Sequence, residues 1–332
     1  MRRPRRTRAR LGAVVALAML LTGVAAFVLP QGASATSVCG VGHRGARVAG
    51  TAECTVRVAG KQRSYLLSVP PSDQPAPLVV AFHGLFQTAR VFAGQTGLVS
   101  ATRNAGLVLA LPESDGPAFN DGRLGATGPP DDAFTLALVD ELVAAKVVDR
   151  RRVVVAGFSN GAGMAMSVAC AHPQAVAALV SVDGSLMDGV GAPRPTAPVR
   201  AVLVHGTADK VQPWEGRPAK GPMLPAYIPV PATVAAWASA AGGGPAVVDR
   251  LPGSLGRGPV EVSTWSPGPS GVGVVSYVIS GMGHVWPVSE SDNLDATTLL
   301  VHTAASVAPL PQSRGAARVD PVALSRAVLL RH

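Results

Sequence analysis

Seven short apolar runs recur along the chain, separated by stretches with the pattern of helices. The runs are rich in Val, Leu and Ala and do not alternate with polar residues, which is typical of strands covered on both faces of a sheet. They lie at 64–70, 77–84, 106–114, 151–159, 177–185, 199–209 and 273–284. Their alternation with helices predicts the α/β class, with a mostly parallel central sheet and helices on both faces.

The predicted helices fill the gaps between these strands. They lie at 88–105, 131–146, 161–173, 230–243 and 294–308. Residues 210–230 are rich in proline and are expected to wrap the surface beside a site. Residues 243–271 contain many glycines and prolines, so we expect loops there, with one weak strand at most.

The N-terminal segment has the composition of a secretory signal peptide. Six arginines precede an apolar run from Leu11 to Val28, and Ala33 and Ala35 frame an A-x-A cleavage site. We expect residues 1–35 to be removed and the product to be secreted. The alternative is an uncleaved membrane anchor, because the run approaches the minimum length that spans a bilayer.

Removal of this segment changes the charge of the chain. The formal net charge is +9, and the segment contains six arginines and no acid, so the remaining chain carries about +3. No dense basic patch interleaved with aromatics follows, so no nucleic-acid partner is expected. No second apolar run of transmembrane length follows either, so no stable membrane anchor is expected after cleavage. Residues 36–310 should form one catalytic domain, and 311–332 a loosely ordered tail.

A serine framed by two glycines follows the fourth predicted strand, in the sequence "VVVAGFSNGAGMA" (153–165). A lone G-x-S-x-G match is weak in a chain with 37 glycines. Here, however, Gly157 and Gly161 remove side chains that would collide in a sharp turn from a strand to a helix, and such a turn projects Ser159 outward. This context predicts Ser159 to be a nucleophile at the carboxyl edge of the sheet.

A serine nucleophile needs a base and an acid that orients the base. His284 follows the last predicted strand, where the chain order Ser, Asp, His requires the base, whereas His83 and His205 come too early. Asp209 follows the penultimate strand and is the predicted acid. Asp183, one strand earlier, is its rival.

Two backbone N–H groups are expected to stabilise the anion that forms when the serine attacks a carbonyl carbon. One belongs to Asn160, directly after the nucleophile, and the other to Leu85, after the buried strand that ends in "FHG". The sequence contains no recognised metal-binding or phosphate-binding motif, so neither a metal nor a cofactor is expected.

Three cysteines remain after the predicted cleavage. Cys39 and Cys54 lie close together in the sequence, and we expect them to form a disulfide in a secreted protein. Cys170 lies among apolar helix residues and is expected to be a buried free thiol.

Several segments together resemble secreted esterases of the polyhydroxybutyrate depolymerase and feruloyl esterase type. These are "LVVAFHG", "FNDGR", "DDAFTLALVDEL", "VVVAGFSNGAGMA", "VLVHGTADKVQPWEG", "VPATVAAWA" and "GMGHVWP", which span about residues 60–308 in the order of the family. The resemblance implies an α/β-hydrolase fold with Ser159, Asp209 and His284 as the triad.

The same resemblance implies three residues near the cleft, namely Asn120, Trp214 and Trp286. Both tryptophans follow predicted triad loops closely, and the alternative is that they only cover the edge of the core. The chain departs from many relatives where glycines replace cysteines near 191 and 243, so Cys170 has lost its usual partner.

The sequence therefore predicts a secreted serine esterase that acts through an acyl-enzyme intermediate. The expected substrate is a small or oligomeric ester of a hydroxyalkanoic or aromatic acid. Two alternatives stay open: a secreted binding module that has the same fold but no activity, and a serine peptidase.

Overall fold

The computed structural model describes most of the predicted catalytic domain. The described residues are 48–72, 74–123, 131–189, 192–253, 258–268, 271–288 and 294–310. The predicted signal peptide and the tail after residue 310 lie outside them, so both stay predictions. Within these ranges, no helix has both the length and the apolar character that crossing a membrane requires.

Ten strands of the described chain form one sheet. They are β1 (Ala52–Val58), β2 (Lys61–Ser68), β3 (Ala76–Phe82), β4 (Val108–Pro112), β5 (Val148–Phe158), β6 (Ala178–Val182), β7 (Arg200–Gly206), β8 (Val247–Leu251), β9 (Val260–Trp265) and β10 (Val274–Ile279). Their order across the sheet is β1-β2-β4-β3-β5-β6-β7-β10-β9-β8. The six central strands run parallel, and the two strands at each edge pair antiparallel with their inner neighbours.

The predicted central sheet is confirmed, and its edges differ from the prediction. Seven strands overlap the seven predicted runs, whereas β1 was not predicted, and β8 and β9 lie in 243–271, where one weak strand at most was expected. Four of the five residues of β8 are exposed. Strands at an edge with one face in water lack the continuous apolar run of a buried strand, so their sequence signal is weak. The region 243–271 therefore contains two strands where one at most was expected.

The described ranges contain one short 3₁₀ helix (Pro173–Ala175) and six α-helices. The α-helices are α1 (Ala89–Thr96), α2 (Leu98–Asn104), α3 (Asp131–Ala144), α4 (Asn160–Ala171), α5 (Val230–Ala240) and α6 (Ala296–Ser306). The single helix predicted at 88–105 is wrong, because the chain breaks into α1 and α2 at Gly97. This glycine has φ +64°, a left-handed conformation that ends a helix.

Helices cover both faces of the sheet, as predicted. One apolar cluster combines residues of α3, α4 and α5 with one face of the central strands, and a second combines α1, α2 and α6 with the other face. Alternate residues of strand β5 pack into the two clusters. Val153 and Val155 point into the first cluster, whereas Val154 and Ala156 point into the second.

The redox states of the cysteines follow the sequence-based expectation as far as the described residues extend. Cys54 takes part in a disulfide bond and Cys170 is a free thiol. Cys39 lies outside the described residues, so its pairing with Cys54 stays a prediction. Cys170 is half-buried rather than fully buried, and burial raises the pKa of its thiol to about 12 although Arg194 opposes the rise.

Candidate active site

Ser159 stands at the turn between β5 and α4, with φ 57° and ψ −117°. Residues other than glycine rarely adopt such angles, and strain of this kind is typical of functional sites. A Cβ atom on Gly157 would lie 2.2 Å from the Gly161 carbonyl oxygen, and one on Gly161 would lie 2.1 Å from the carbonyl oxygen of Phe82. Close backbone packing therefore requires both glycines.

The loops after β7 and β10 bring two further side chains to this turn. His284 Nε2 lies 2.8 Å from Ser159 Oγ, and His284 Nδ1 lies 2.7 Å from Asp209 Oδ2. The two loops are bonded to each other, since Ala208 N donates to the Met282 carbonyl oxygen at 2.9 Å. A Cβ atom on Gly206 would lie 2.3 Å from that same oxygen, so this crossing also depends on a glycine.

These contacts define the tautomer of the neutral imidazole. An ionised carboxylate only accepts hydrogen bonds, so Nδ1 of His284 carries the hydrogen that points to Asp209. In the neutral ring, Nε2 then has a free lone pair and accepts the hydrogen of the Ser159 hydroxyl. This is the arrangement that general-base activation of a serine requires.

Asp209 is held as a carboxylate by its surroundings. Its Oδ1 accepts hydrogen bonds from the backbone N–H groups of Val211 at 2.7 Å and Gln212 at 2.9 Å. Burial alone would raise the pKa of Asp209, but the hydrogen bond and charge of His284 and the two N–H groups outweigh it. The pKa therefore lies below its ordinary value.

His205 supports the Asp209 turn from behind. Its Nε2 lies 2.9 Å from the Gln212 carbonyl oxygen and 3.5 Å from Asp209 Oδ2. Burial lowers the pKa of His205, so its ring is uncharged near neutral pH. His205 therefore acts on the turn as a hydrogen-bond donor.

Asp183 does not form the hydrogen bond to His284 that the acid of a triad would form. Its Oδ2 lies 4.0 Å from His284 Nδ1, beyond hydrogen-bond distance. The carboxylate accepts instead from Gly206 N and Val285 N, each at 3.0 Å. It thereby joins the end of β7 to the residue after His284, so it fixes the position of the histidine loop.

The same three side chains could be taken for a metal site. Ligand atoms of Asp183, Asp209 and His284 lie within 4.8 Å of one another. However, each carboxylate oxygen of this cluster already accepts a hydrogen bond from a backbone N–H or from His284. The donor set therefore fits a hydrogen-bonded triad and its support better than a coordination sphere.

Ser159 and His284 line an open cleft with a volume of about 200 Å³. Leu85 and Asn160, the residues predicted to stabilise the anion, line the same cleft. The N–H of Asn160 is one of the first in α4, and such groups have no carbonyl partner within their helix. The four predicted catalytic and anion-stabilising residues other than Asp209 therefore share one cavity, with Asp209 directly behind His284.

The side chain of Asn160 ties this corner to a neighbouring loop. Its Oδ1 accepts from Phe119 N at 2.8 Å, and its Nδ2 donates to Asp121 Oδ2 at 3.1 Å. Asp121 in turn forms a buried ion pair with Arg123, which lines the cleft. The loop of the "FNDGR" segment thus reaches the site through residues other than Asn120.

The three residues implied to lie near the cleft do not belong to its described lining. Asn120 donates its backbone N–H to Asp131 at the start of α3. Trp214 packs edge-on against His205 at 6.3 Å between ring centroids. Trp286 packs edge-on against Phe92 and donates from Nε1 to the Thr297 hydroxyl at 3.0 Å. Both tryptophans contact the core in the way that the alternative interpretation described.

The sequence interpretation missed most of the cleft wall. The remaining lining residues are Gly84, Phe86, Gln87, Arg123, Phe158, Val211, Gln212, Leu224 and Tyr227. Arg123 had a usable signal, because it ends a segment that carries the family resemblance. Tyr227 lies in the Pro-rich segment 210–230, which was expected to border a site, but no motif singled it out, and it is more than a hundred residues from Arg123.

Comparison with known proteins identifies the family. Residues 63–192 match the family model described as Esterase PHB depolymerase. NocK of Nocardia uniformis subsp. tsuyamanensis, which is named as an esterase, is 32% identical over 252 residues, which are 70% of this chain and 73% of NocK. Feruloyl esterase B of Piromyces equi is 27% identical over 151 residues, which are 43% of this chain but only 28% of that protein.

Solved structures support the fold. An acetyl xylan esterase from Aspergillus awamori has a TM-score of 0.50 and 18% identity, over 69% of this chain and 91% of that chain. The protein sOPH has a TM-score of 0.52 and 18% identity, over 83% of this chain and 91% of that chain. At these identities the likeness concerns the fold. With the match to NocK, these findings place the chain in the Esterase PHB depolymerase family, as a carboxylic ester hydrolase with the α/β-hydrolase fold.

Proposed function

We propose that this chain is a secreted serine esterase that works through Ser159, His284 and Asp209. The observation that carries the proposal is the continuous hydrogen-bonded row from Asp209 through His284 to the Ser159 hydroxyl, at 2.7 Å and 2.8 Å. The row ends inside the cleft, so a bound ester carbonyl can reach the serine oxygen.

In the proposed reaction, Ser159 Oγ attacks the ester carbonyl carbon while His284 Nε2 takes its proton. Asp209 stabilises the resulting imidazolium and keeps its orientation. The tetrahedral oxyanion accepts from the N–H groups of Leu85 and Asn160. His284 then returns the proton to the leaving alcohol, and the acyl group stays on Ser159. Water, activated by the same histidine, releases the acid and restores the serine.

The proposed substrates are esters of hydroxyalkanoic acids or of aromatic, feruloyl-type acids. The family description names a depolymerase of PHB, and one relative is named as a feruloyl esterase. A cleft of about 200 Å³ suits one small acyl or aryl group better than a long polymer segment. Phe86 and Phe158 give this cleft aromatic surface.

Secretion is proposed from the composition of residues 1–35. If it is correct, the mature protein recovered outside producing cells begins at Thr36. An exported protein that keeps the apolar run, or a protein that stays inside the cells, would contradict the proposal.

The catalytic proposal is tested by hydrolysis of short p-nitrophenyl esters, methyl ferulate and hydroxybutyrate oligomers side by side. Ser159→Ala should remove hydrolysis of every ester that the wild type accepts. Ser100→Ala is the matched control, since Ser100 is an exposed serine on α2, and it should retain the wild-type rates. Retained hydrolysis in Ser159→Ala would contradict the proposal.

Two further measurements separate the alternatives. A fluorophosphonate probe should label the wild type and not Ser159→Ala, whereas a binding module without activity would not be labelled at all. Peptide anilides should show no enzyme-dependent cleavage, whereas a peptidase would cleave them as well as esters.

A further inference from the structure

Arg123 is a buried cation in the wall of the catalytic cleft. Its side chain is only 1% exposed, and its Nε and Nη2 donate to the two oxygens of Asp121 at 2.7 Å and 2.6 Å. Nη1 donates to the Met223 carbonyl oxygen at 2.8 Å. A guanidinium has five N–H groups, so two remain for other partners. Because the bidentate pair with Asp121 balances the charge, this part of the wall is polar but close to neutral.

Tyr227 lies beside Arg123 and is held from several sides. Its backbone N–H and carbonyl oxygen pair with Arg217 at 2.9 Å and 3.0 Å, and the Arg217 guanidinium stacks over its ring at 5.1 Å. A Cβ atom on Gly216 would lie 2.5 Å from the Tyr227 carbonyl oxygen, so the two segments touch closely. Tyr227 is 6% exposed and lines the cleft, and its ring therefore has one fixed position.

The hydroxyl of Tyr227 is a hydrogen-bond donor under working conditions. Burial raises the pKa of Tyr227, although the charge and hydrogen bond of Arg123 oppose the rise, so the hydroxyl keeps its proton near neutral pH. Arg123 carries only hydrogen-bond donors, so the phenol oxygen can act toward it only as an acceptor, and the hydroxyl hydrogen is left for another partner. A hydrogen-bond acceptor on a ligand bound in the cleft would give this hydroxyl hydrogen a partner.

Buried hydrogen bonds connect this wall to the residue that follows the nucleophile. Asp121 accepts from both Arg123 and the side chain of Asn160, and Asn160 follows Ser159 directly. A Cβ atom on Gly163 of α4 would lie 2.7 Å from Asp121 Oδ2, so the carboxylate is packed tightly against that helix. The distance between the wall and Ser159 is thereby fixed by buried contacts.

We propose that Tyr227, backed by Arg123, forms a subsite for an uncharged oxygen on the acyl chain of the substrate, such as the hydroxyl of a hydroxyacyl ester. The subsite rests on the proposed function and narrows its substrate class. A neutral oxygen fits better than a carboxylate, because Asp121 already neutralises Arg123 and the other nearby cation, Arg217, does not belong to the lining of the cleft. A plain hydrocarbon chain leaves the Tyr227 hydroxyl without this partner, and an unpaired buried donor is costly.

The test compares three p-nitrophenyl esters that differ only in the acyl chain: butyrate, hydroxybutyrate and monosuccinate. The wild type should prefer hydroxybutyrate to butyrate in kcat/KM. Tyr227→Phe should reduce that preference about tenfold, because it removes both the hydrogen bond to the acyl oxygen of hydroxybutyrate and the unpaired donor that butyrate leaves buried. Tyr65→Phe, which changes a buried tyrosine of β2, is the matched control and should keep the wild-type preference.

Three results would overturn the subsite: an unchanged preference in Tyr227→Phe, an equal loss on butyrate and hydroxybutyrate, or a loss confined to monosuccinate. The last would mean that the wall binds a carboxylate. All three leave ester hydrolysis by Ser159 intact. Failure of the proposed function is distinguishable, because the wild type would then hydrolyse none of the esters.

Discussion

The two sides of the cleft are held in place by different contacts. On the catalytic side, backbone hydrogen bonds at the strand ends hold the residues in position. Ser159 N donates to the Val182 carbonyl oxygen at 3.0 Å, and the loops after β7 and β10 bond to each other. On the wall that contains Arg123 and Tyr227, side-chain contacts add to the backbone pairing, as in the buried ion pair of Asp121 with Arg123. Substitutions on the first side should therefore damage the chemistry, whereas substitutions on the second should change substrate preference.

The largest effect is expected from the triad itself. Ser159→Ala and His284→Ala should each lower kcat by about 10³-fold or more, since each removes a group that takes part in bond making or proton transfer. Thermal unfolding should change little, because Ser159 is small and His284 is partly exposed. Steady-state rates and a melting curve on the same preparations check this. Equal rates in His284→Ala and the wild type would contradict the assignment of the base.

A substitution at Gly161 should distort the turn that carries Ser159 without replacing a residue of the triad. Gly161→Ala places a methyl group 2.1 Å from the Phe82 carbonyl oxygen, so it should lower the free energy of unfolding by about 3 kcal/mol and reduce activity. Gly94→Ala is the matched control, because a methyl group there meets nothing within 4 Å and a helix favours alanine. Denaturant titration compares the two. Equal stability of both variants would mean that the turn adapts.

The two aspartates near His284 should differ in the size of their effect. Asp209→Asn should lower kcat by about 10²- to 10⁴-fold, because an amide can favour the wrong imidazole tautomer. Asp183→Asn should lower kcat by about 10- to 100-fold with little change in KM, because the amide cannot accept from both Gly206 N and Val285 N. Initial rates over a range of ester concentrations separate kcat from KM. If Asp183→Asn had the larger effect, the acid assignment would be reversed.

The smallest effect is expected from a tryptophan outside the cleft. Trp286→Phe keeps an aromatic ring against Phe92 but loses the hydrogen bond to Thr297, so stability should fall by about 1 kcal/mol. The ranking among ester substrates should stay as in the wild type. A changed ranking with unchanged stability would place Trp286 in substrate binding after all.

The meeting of Ser159, Asp209 and His284 could be predicted from the sequence because its signals are local. Continuous apolar runs locate the parallel strands, and their carboxyl ends must meet at one edge, which groups Ser159, Asp209 and His284. Glycines next to these residues mark the close crossings. The sequence favoured Asp209 over Asp183 as the acid, but both follow strands, and the distances to His284 separate them clearly.

The wall and the sheet edges could not be predicted in the same way. Tyr227 reaches the cleft through pairing with Arg217 inside an irregular connection, and no periodicity encodes that pairing. Strand β8 is exposed and short, so its pattern resembles that of a loop. Gly97 ends a helix by adopting a left-handed conformation, although the apolar pattern continues across it.

The most direct test of the account is the location of the acyl group during turnover. Wild-type enzyme mixed with p-nitrophenyl acetate and quenched in acid within the first turnover should carry one acetyl group, and peptide mapping by mass spectrometry should place it on Ser159. The initial burst of p-nitrophenol should equal the enzyme concentration. An acetyl group on another residue, or rapid hydrolysis of ester by a Ser159→Ala enzyme, would contradict the central claim.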